Sequence, residues 1–469
     1  MASPTISSPH IDTLRGRVQG SVITPLDPGY DEQRRIWNAM VDARPAVLVQ
    51  VTAPGDIAAT LEFAQSHALP LAVRGGGHNV AGHGTVTDGV VIDLSAINSV
   101  TVLDDPAQSV GDGAAVRIGG GATLADVDRV TAPMGLAVPL GVVSQTGVGG
   151  LTLGGGMGWL TRAYGLTADN LLDAELVAAD GSPIRAADDP ELLWALRGGG
   201  GNFGVVTAFT VRAHRLGSDI YGANLVYRSS RWRGALSAWE NWTRDLPDQM
   251  QSIVTVISPP PEFELGTEPV LIVGAAWSGR EPQQGEDLIA DLRAAATPED
   301  EEVGLVPWTE WQSAMDFLFP RGVRGYWKNT SFDHLDDDVI EILVRRGTEQ
   351  TWQGTAFDIH HMGGAFARVP VDGTPFPARD ARFWLNCYGF WRDPGDDAAR
   401  TRFVQDLALD MAPFAGDGHY VNFAARDERV PRVAAEETFG RSKLSRLVEV
   451  KRRYDPNNVL RRNHNIPPD

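Results

Sequence analysis

RGGGHN, residues Arg74 to Asn79, sets three consecutive glycines before a histidine. Upstream, PAVLVQVTAP (45–54) reads as a strand ended by proline. GDIAATLEFAQSHA (55–68) reads as a helix, with apolar residues at helical spacing and Asp56 placed to cap its start. LPLAVRG (69–75) is a second strand that runs into the glycines, and GVVIDLS (89–95) is a third. This strand–helix–strand unit delivers RGGGHN to the end of a sheet. Three glycines cost more conformational entropy than one turn requires. The run therefore points to close approach, because successive amides without side chains form a nest for an anion. A tight turn needing positive φ is the plainer alternative.

Further along, AAVRIGGGATLADVDRV (114–130) is strand, glycine turn and helix. Glycines crowd the stretch from Gly141 to Gly158, a density that serves close contact with a ligand or another backbone. NLLDAELVAADGSPI (170–184) reads as a hairpin turning at Asp180-Gly181. PELLWALRGGGGNFGVVTAFTVRAHRL (190–216) is a short helix, four glycines and a strand. Beyond Leu216 the glycine loops stop. Amphipathic helices (ALSAWENWTRDL, PQQGEDLIADLRAAA) and strands (PVLIVGAAWSG) take over, rich in tryptophan and phenylalanine. The composition shift predicts a first domain over 1–215, a second, pocket-shaping domain over 216–414, and a segment 415–469 that returns to the first.

Composition narrows the class. The 469 residues carry a formal charge of −19 and 43% hydrophobic residues, an ordinary globular balance. No basic stripe suggests nucleic acid as a partner. A single cysteine, Cys387, rules out an internal disulfide and a cysteine-based metal site, and no metal is expected. The start of the chain lacks an apolar core of signal-peptide length, and no stretch reads as a membrane span, so a cytoplasmic protein acting on small molecules is expected. Oligomeric state is not legible.

The glycines first suggest a dinucleotide. Gly199, Gly201 and Gly204 fit G-x-G-x-x-G, yet that fingerprint must lead into a helix. Here VVTAFTV follows, a strand, which argues against a Rossmann site and against nicotinamide chemistry. The alternative is several glycine loops from separate strand ends converging on one pyrophosphate.

Five stretches carry a resemblance: PGYDEQRRIWN (28–38), VRGGGHNVAGHG (73–84), TGVGGLTLGGGMG (146–158), RGGGGNFGVVT (197–207) and YDPNNVLRRNHNI (454–466). In this order and spacing, the chain resembles the berberine-bridge-enzyme-like branch of the vanillyl-alcohol-oxidase/PCMH flavoproteins along nearly its whole length. The resemblance implies an α+β fold: a two-part PCMH-type FAD-binding domain, and a substrate domain whose large antiparallel sheet is covered by helices. It implies an FAD-linked oxidase acting on a small organic substrate, of secondary-metabolite type, with dioxygen as acceptor. His78 falls where the family histidine bonds the flavin 8α-methyl, so the histidine in RGGGHN becomes the tether. Arg74, Gly75, Gly76, Gly77, Asn79 and Gly82 around it are expected at the cofactor. So are Val143, Thr146, Gly147, Gly150, Gly154 and Gly156 in the second loop, Asn202, Gly204 and Val206 in the third, and Asn422 and Asn463 near the C-terminus.

Three departures refine this expectation. Where many members carry a second tether in G-x-C-x-x-V-G, the chain has GVVSQTGVGG, with Val143 at the cysteine position; the resemblance then implies one covalent bond, through His78. Three residues on, Thr146 replaces the usual valine or leucine beside the oxygen path. That combination is similar to the enterocin-pathway oxygenase, which stores oxygen as a flavin-N5-oxide and acts on polyketide-type substrates. Finally, the family's Y-x-N-Y reads Tyr420-Val421-Asn422-Phe423, and Phe423 cannot accept a proton. A flavin-binding protein without redox turnover is the alternative of another class.

A base must then lie elsewhere. In TAFDIHHMGGA (355–365), a strand would set Asp358 and His360 on one face and Phe357, Ile359 and His361 on the other. An Asp–His pair two residues apart suits a general base near neutral pH. Asp358, His360 and His361 are the catalytic candidates, with Thr146 at the oxygen side. A solvated face or a core histidine would explain the same residues without catalysis. Tyr326, Trp327 and Tyr388 are expected as pocket walls.

Overall fold

The computed structural model describes residues 7–103, 113–263, 265–425 and 431–469. Its frame is three sheets. The first orders Ser21–Ile23, Val47–Gln50, Val90–Asp93 and Leu71–Arg74 side by side, the last three parallel. The helix Pro54–Ser66 is the crossover between two of them, so RGGGHN leaves the end of an edge strand. Register sets Arg74 opposite Asp93. Asp56 does not cap that helix, whose N-cap position is Ala53. Its carboxylate instead accepts from the amides of Gln19, Gly20 and Thr52, tying the first strand to the start of the helix.

The second sheet is antiparallel, in the order Val100–Leu103, Ala114–Gly119, Val205–Arg215, Leu171–Val177 and Pro183–Arg185, with Leu136–Ala137 pairing the far end of its long central strand. That strand follows RGGGGNFG directly, so the glycine run feeds a sheet and not a helix. The hairpin through Asp180-Gly181 forms as the sequence suggests.

The third sheet has seven antiparallel strands, ordered Asp300–Pro307, Asp219–Arg228, Val270–Trp277, Met250–Ser258, Gly354–His361, Phe383–Trp391 and Arg324–Phe332. Helices Trp232–Trp242, Pro282–Ala295, Asp337–Thr348 and Asp397–Met411 cover one face, over a core that includes Trp232, Trp239, Phe357, Ile359 and Leu385. Each such buried side chain contributes about 1.5–3 kcal/mol. The other face turns toward the glycine loops, where Trp37, Val80 and Val143 pack with Phe319, Trp327, Tyr388 and Phe390. Strand Phe383–Trp391 is therefore buried along its whole length.

The C-terminal helix Arg441–Tyr454 packs on Pro190–Ala195, and the tail crosses the glycine run: Asn202 Nδ2 donates to the carbonyl of His464, and the amide of Ile466 donates back to Asn202 Oδ1. No helix among the described residues is long and apolar enough to cross a membrane.

Candidate active site

A cavity lies where the three sheets meet. It is lined by the loops after Leu71–Arg74 and Ala114–Gly119, by the 141–157, 199–206 and C-terminal 460–464 stretches, and by Phe319, Trp327, Tyr388 and Phe423. The loops meet backbone to backbone. A Cβ on Gly76 would lie 2.4 Å from the amide nitrogen of Gly147, and one on Gly147 would lie 2.2 Å from that of Gly76. Part of the glycine density thus serves contact between the two loops. Gly77 adds a positive φ of 68°. Gly150 and Gly201 line the cavity with nothing near their missing Cβ.

His78 stands on this wall. The ring of Trp37 lies 4.9 Å away, tilted by 30°. His78 Nε2 is buried and has no hydrogen-bond partner. Burial, and then the nearby Arg321 guanidinium, push its pKa down to about 3, so the imidazole is neutral. Arg321 is held there by a bond from Nη2 to the carbonyl of Gly76, 2.9 Å. Trp37 is fixed on both sides: its amide donates to the carbonyl of Gly77 (2.9 Å) and its indole Nε1 to that of Phe319 (3.0 Å). Asn38 extends the splint, donating to Val80 and Gly325 carbonyls, both at 2.8 Å.

The remaining expected cofactor residues divide. Arg74, Gly75, Asn79, Val143, Thr146, Gly154, Gly204, Val206, Asn422 and Asn463 all line the cavity. Arg74 keeps its guanidinium on Asp93 (2.6 Å) and the Gln33 carbonyl, so its charge is already paired. Asn422 bonds the Leu151 carbonyl and the Tyr420 hydroxyl. Gly82, Gly156 and Asn202 lie off the wall. Gly82 takes a positive φ beside Val41, Gly156 donates its amide to the Tyr420 hydroxyl, and Asn202 is fully buried as the fastener of the tail. Arg462, His83 and His464 also line the cavity, beyond the residues the resemblance implies. Arg462 is anchored by Nε to the Thr85 carbonyl, and the two histidine rings meet edge to face at 4.9 Å. RRNHNI held the signal, since it brings an arginine and a histidine on either side of Asn463. Among the described residues no aspartate or glutamate lines the cavity, although the chain carries a charge of −19. Glycine backbone without side chains, an arginine and a lining free of carboxylates suit a dinucleotide's diphosphate. The unpartnered imidazole nitrogen suits a group that engages His78.

The expected alternation on Gly354–His361 holds. Asp358 and His360 face the cavity side, but neither forms its wall. Tyr388 stands in front, its hydroxyl donating to Asp358 Oδ2 at 2.8 Å. Asn386 Nδ2 donates to Oδ1 at 2.9 Å. His360 Nε2 comes to 3.4 Å of Oδ1 without forming a hydrogen bond. Burial, then the Asp358 charge, raise Tyr388 well above the usual phenol range. His361 points into the helix-covered core beside Trp239 and Phe383, with Arg162 Nη1 3.1 Å from its Nε2. Burial first, then Arg162 and Arg382, keep it neutral. It has no access to the cavity, which removes it as a catalytic candidate. Tyr326 likewise packs on the helix-covered core and is not a wall. Across the cavity, Ser144 is clamped to Asp316 by its amide (2.7 Å) and its hydroxyl, fixing the Val143–Thr146 turn to the third sheet's side.

Comparison with known proteins agrees with this arrangement. The FAD binding domain family matches residues 45–187, and the berberine and berberine-like family matches residues 419–467. (R)-6-hydroxynicotine oxidase of Paenarthrobacter nicotinovorans is 30% identical, covering 96% of this chain and 97% of its own. The crystal structure of 6-hydroxy-D-nicotine oxidase from Arthrobacter nicotinovorans superposes with a TM-score of 0.84 at 28% identity, over 96% of this chain and 98% of that one. Glucooligosaccharide oxidase from Acremonium strictum, with its 6-S-cysteinyl, 8α-N1-histidyl FAD, shares the fold at a TM-score of 0.82 and 21% identity, over 98% and 99% of the two chains. With both family domains matched and a relative 30% identical along nearly the whole of both chains, the chain belongs to the berberine-bridge-enzyme-like FAD-linked oxidoreductases of the PCMH superfamily.

Proposed function

We propose that this oxidoreductase holds FAD by a single covalent bond through His78 and oxidises a small organic molecule with dioxygen as electron acceptor. The observation that carries the reading is a neutral imidazole on the cavity wall whose Nε2 has no protein partner. The valine at 143 supports one tether, since the only cysteine, Cys387, is buried in the third sheet. Held by His78 and the glycine loops, FAD would supply the electron sink for removal of a hydride from the substrate, with dioxygen as the final acceptor.

The chain's own residues supply the rest. Trp37 packs against the ring of His78, and burial first, then Arg321, keeps that imidazole neutral. The apolar wall of Val143, Phe319, Trp327 and Phe423 excludes water from the reacting end. Tyr388 and Asp358 form a proton relay. A proton leaving the substrate arrives at Tyr388 Oη while the tyrosine's own proton crosses 2.8 Å to Asp358 Oδ2. Asn386 holds that carboxylate in line. This arrangement replaces a base at Phe423. Thr146, whose residue lines the same wall as Val143, favours a second reading in which an oxygen atom enters the product.

The test is acid precipitation of the purified protein. The reading expects a yellow pellet from the wild type and a colourless pellet with yellow supernatant from His78→Ala. A colourless wild-type pellet contradicts the single tether. Labelled dioxygen separates the two outcomes, since label in peroxide supports oxidation and label in the organic product supports oxygenation.

A further inference from the structure

We propose that Asp316 is a positioning residue for the cofactor cavity. Through Ser144 it holds the Val143–Thr146 turn in place, as the central tie of a crossbar, residues 312–322, that sets where both cofactor loops stand. The inference rests on reading this cavity as the FAD site.

The chain between Asp300–Pro307 and Arg324–Phe332 joins the two edge strands of the third sheet, so it must cross the sheet from one edge to the other. It crosses the face turned toward the glycine loops. Trp311 lies on Gly222, where a Cβ would come 2.7 Å from its ring, and Phe319 packs with Trp327 and Tyr388. On the way it bonds the opposite side of the cavity repeatedly. Gln312 Nε2 donates to the Gly141 carbonyl at 2.6 Å. Asp316 accepts from the Ser144 amide at 2.7 Å and from the Ser144 hydroxyl. The Phe319 carbonyl accepts from the Trp37 indole, Arg321 Nη2 donates to the Gly76 carbonyl, and the Gly322 amide donates to the Trp37 carbonyl at 3.0 Å. The first two residues hold the 141–147 loop; the last three hold the His78 loop and the tryptophan beside it.

Asp316 stands out by what it anchors. The turn closes with the Thr146 amide on the Val143 carbonyl at 3.0 Å. Its other acceptors are taken by its own side: the Ser144 carbonyl accepts from the Ala125 amide and the Thr146 carbonyl from the Leu124 amide, both in the first turn of helix Leu124–Thr131. The two donors of Ser144 face the other way and end on one carboxylate, the stronger kind of hydrogen bond. Val143 and Thr146 line the cavity, and so does Phe319, whose amide bonds back to the Asp316 carbonyl at 3.0 Å. Val143 and Phe319 also share one apolar cluster. The clamp therefore closes the seam where the two sides of the cavity meet. Asp316 does not itself line the cavity, so it acts through Ser144.

The experiment reads the visible circular dichroism of the oxidised holoprotein, per bound flavin. A flat flavin ring owes that signal to asymmetric surroundings, so it follows the cavity lining and not the melting temperature. Asp316→Ala should lose at least about half of the signal, because two donors lose their acceptor and the turn is freed. Asp316→Asn should keep most of it, since its oxygen still accepts from the Ser144 amide and its nitrogen donates to the Ser144 hydroxyl. Leu343→Ala, in the helix-covered core, is the control: it should melt lower and keep the wild-type signal. A yellow Asp316→Ala protein with wild-type dichroism overturns this inference and leaves the reading of the site intact. So does a loss as large in Asp316→Asn or in Leu343→Ala. If Asp316→Ala does not fold, Ser144→Ala decides: it keeps the amide bond and removes the hydroxyl one, and a wild-type signal there overturns the inference. A wild-type preparation without bound flavin overturns the reading of the site, and this inference with it.

Discussion

The ring of Trp37 lies 4.9 Å from that of His78, and the two hydrogen bonds that fix Trp37 run to opposite sides of the cavity, one to Gly77 in the histidine loop and one to Phe319 beside the third sheet. The orientation of the imidazole is therefore set jointly by both sides of the site. Trp37→Ala removes the packing surface and is expected to lower the covalently attached share of bound FAD by at least about half, with some loss of stability, since emptying a buried tryptophan costs roughly 3–5 kcal/mol. Trp37→Phe restores a ring and should recover most of the attachment. The ratio of acid-precipitable to total flavin reads this effect separately from folding.

Tyr388→Phe removes the first group of the proton relay and keeps the wall. Loss of a positioned acid–base group typically costs 10²–10⁴-fold in rate. Anaerobic stopped-flow reduction by a turnover substrate should slow by about that factor, with an unchanged oxidised flavin spectrum. Asp358→Asn should slow it similarly. Wild-type reduction rates in both variants would place the proton acceptor elsewhere.

Gly76→Ala tests the contact between loops. Its Cβ would fall 2.4 Å from the Gly147 amide nitrogen, well inside any real contact. Backbone cannot yield as a flexible side chain can. The variant is expected to lose most of its FAD and to melt several degrees lower, whereas Gly150→Ala, with open space at the same atom, should melt near the wild type. Thermal unfolding of the two variants side by side makes the comparison.

Asp128 carries a pH dependence. On helix Leu124–Thr131 its Oδ1 is buried without a partner, and burial pushes its carboxyl up to about 7. The folded state then holds a proton that the unfolded chain releases near 4. Stability from this site is complete below the unfolded value and falls as pH rises, levelling off above about 7. Asp128→Asn cannot ionise, so its melting temperature should gain on the wild type between pH 5.5 and 7.5 by roughly a few degrees, and the difference should then stay constant. A difference that shrinks with rising pH would contradict this account.

Much of the first half was legible because its signals are local. Strand–helix–strand periodicity set the sheet that presents RGGGHN, and the strand after Gly204 excluded a Rossmann turn. Period-two alternation set Asp358 and His360 together and sent His361 to the other face. What remained hidden was long-range. Nothing in the text around Asp358 shows that Tyr388, 30 residues on, stands between it and the cavity. Gly82 and Gly156 look like their neighbours in sequence, yet each answers to a packing partner, Val41 or Tyr420. Asn202 sits in a ligand-like glycine run but binds the chain's own tail. The Trp37–Phe319 bond spans 282 residues and has no sequence signature.

The most direct measurement is peptide mapping by mass of the denatured, proteolysed wild-type protein. The account predicts one flavin-bearing peptide, the one that contains His78, with the Val143 and Cys387 peptides unmodified. An unmodified His78 peptide, or FAD found on any other residue, would contradict it.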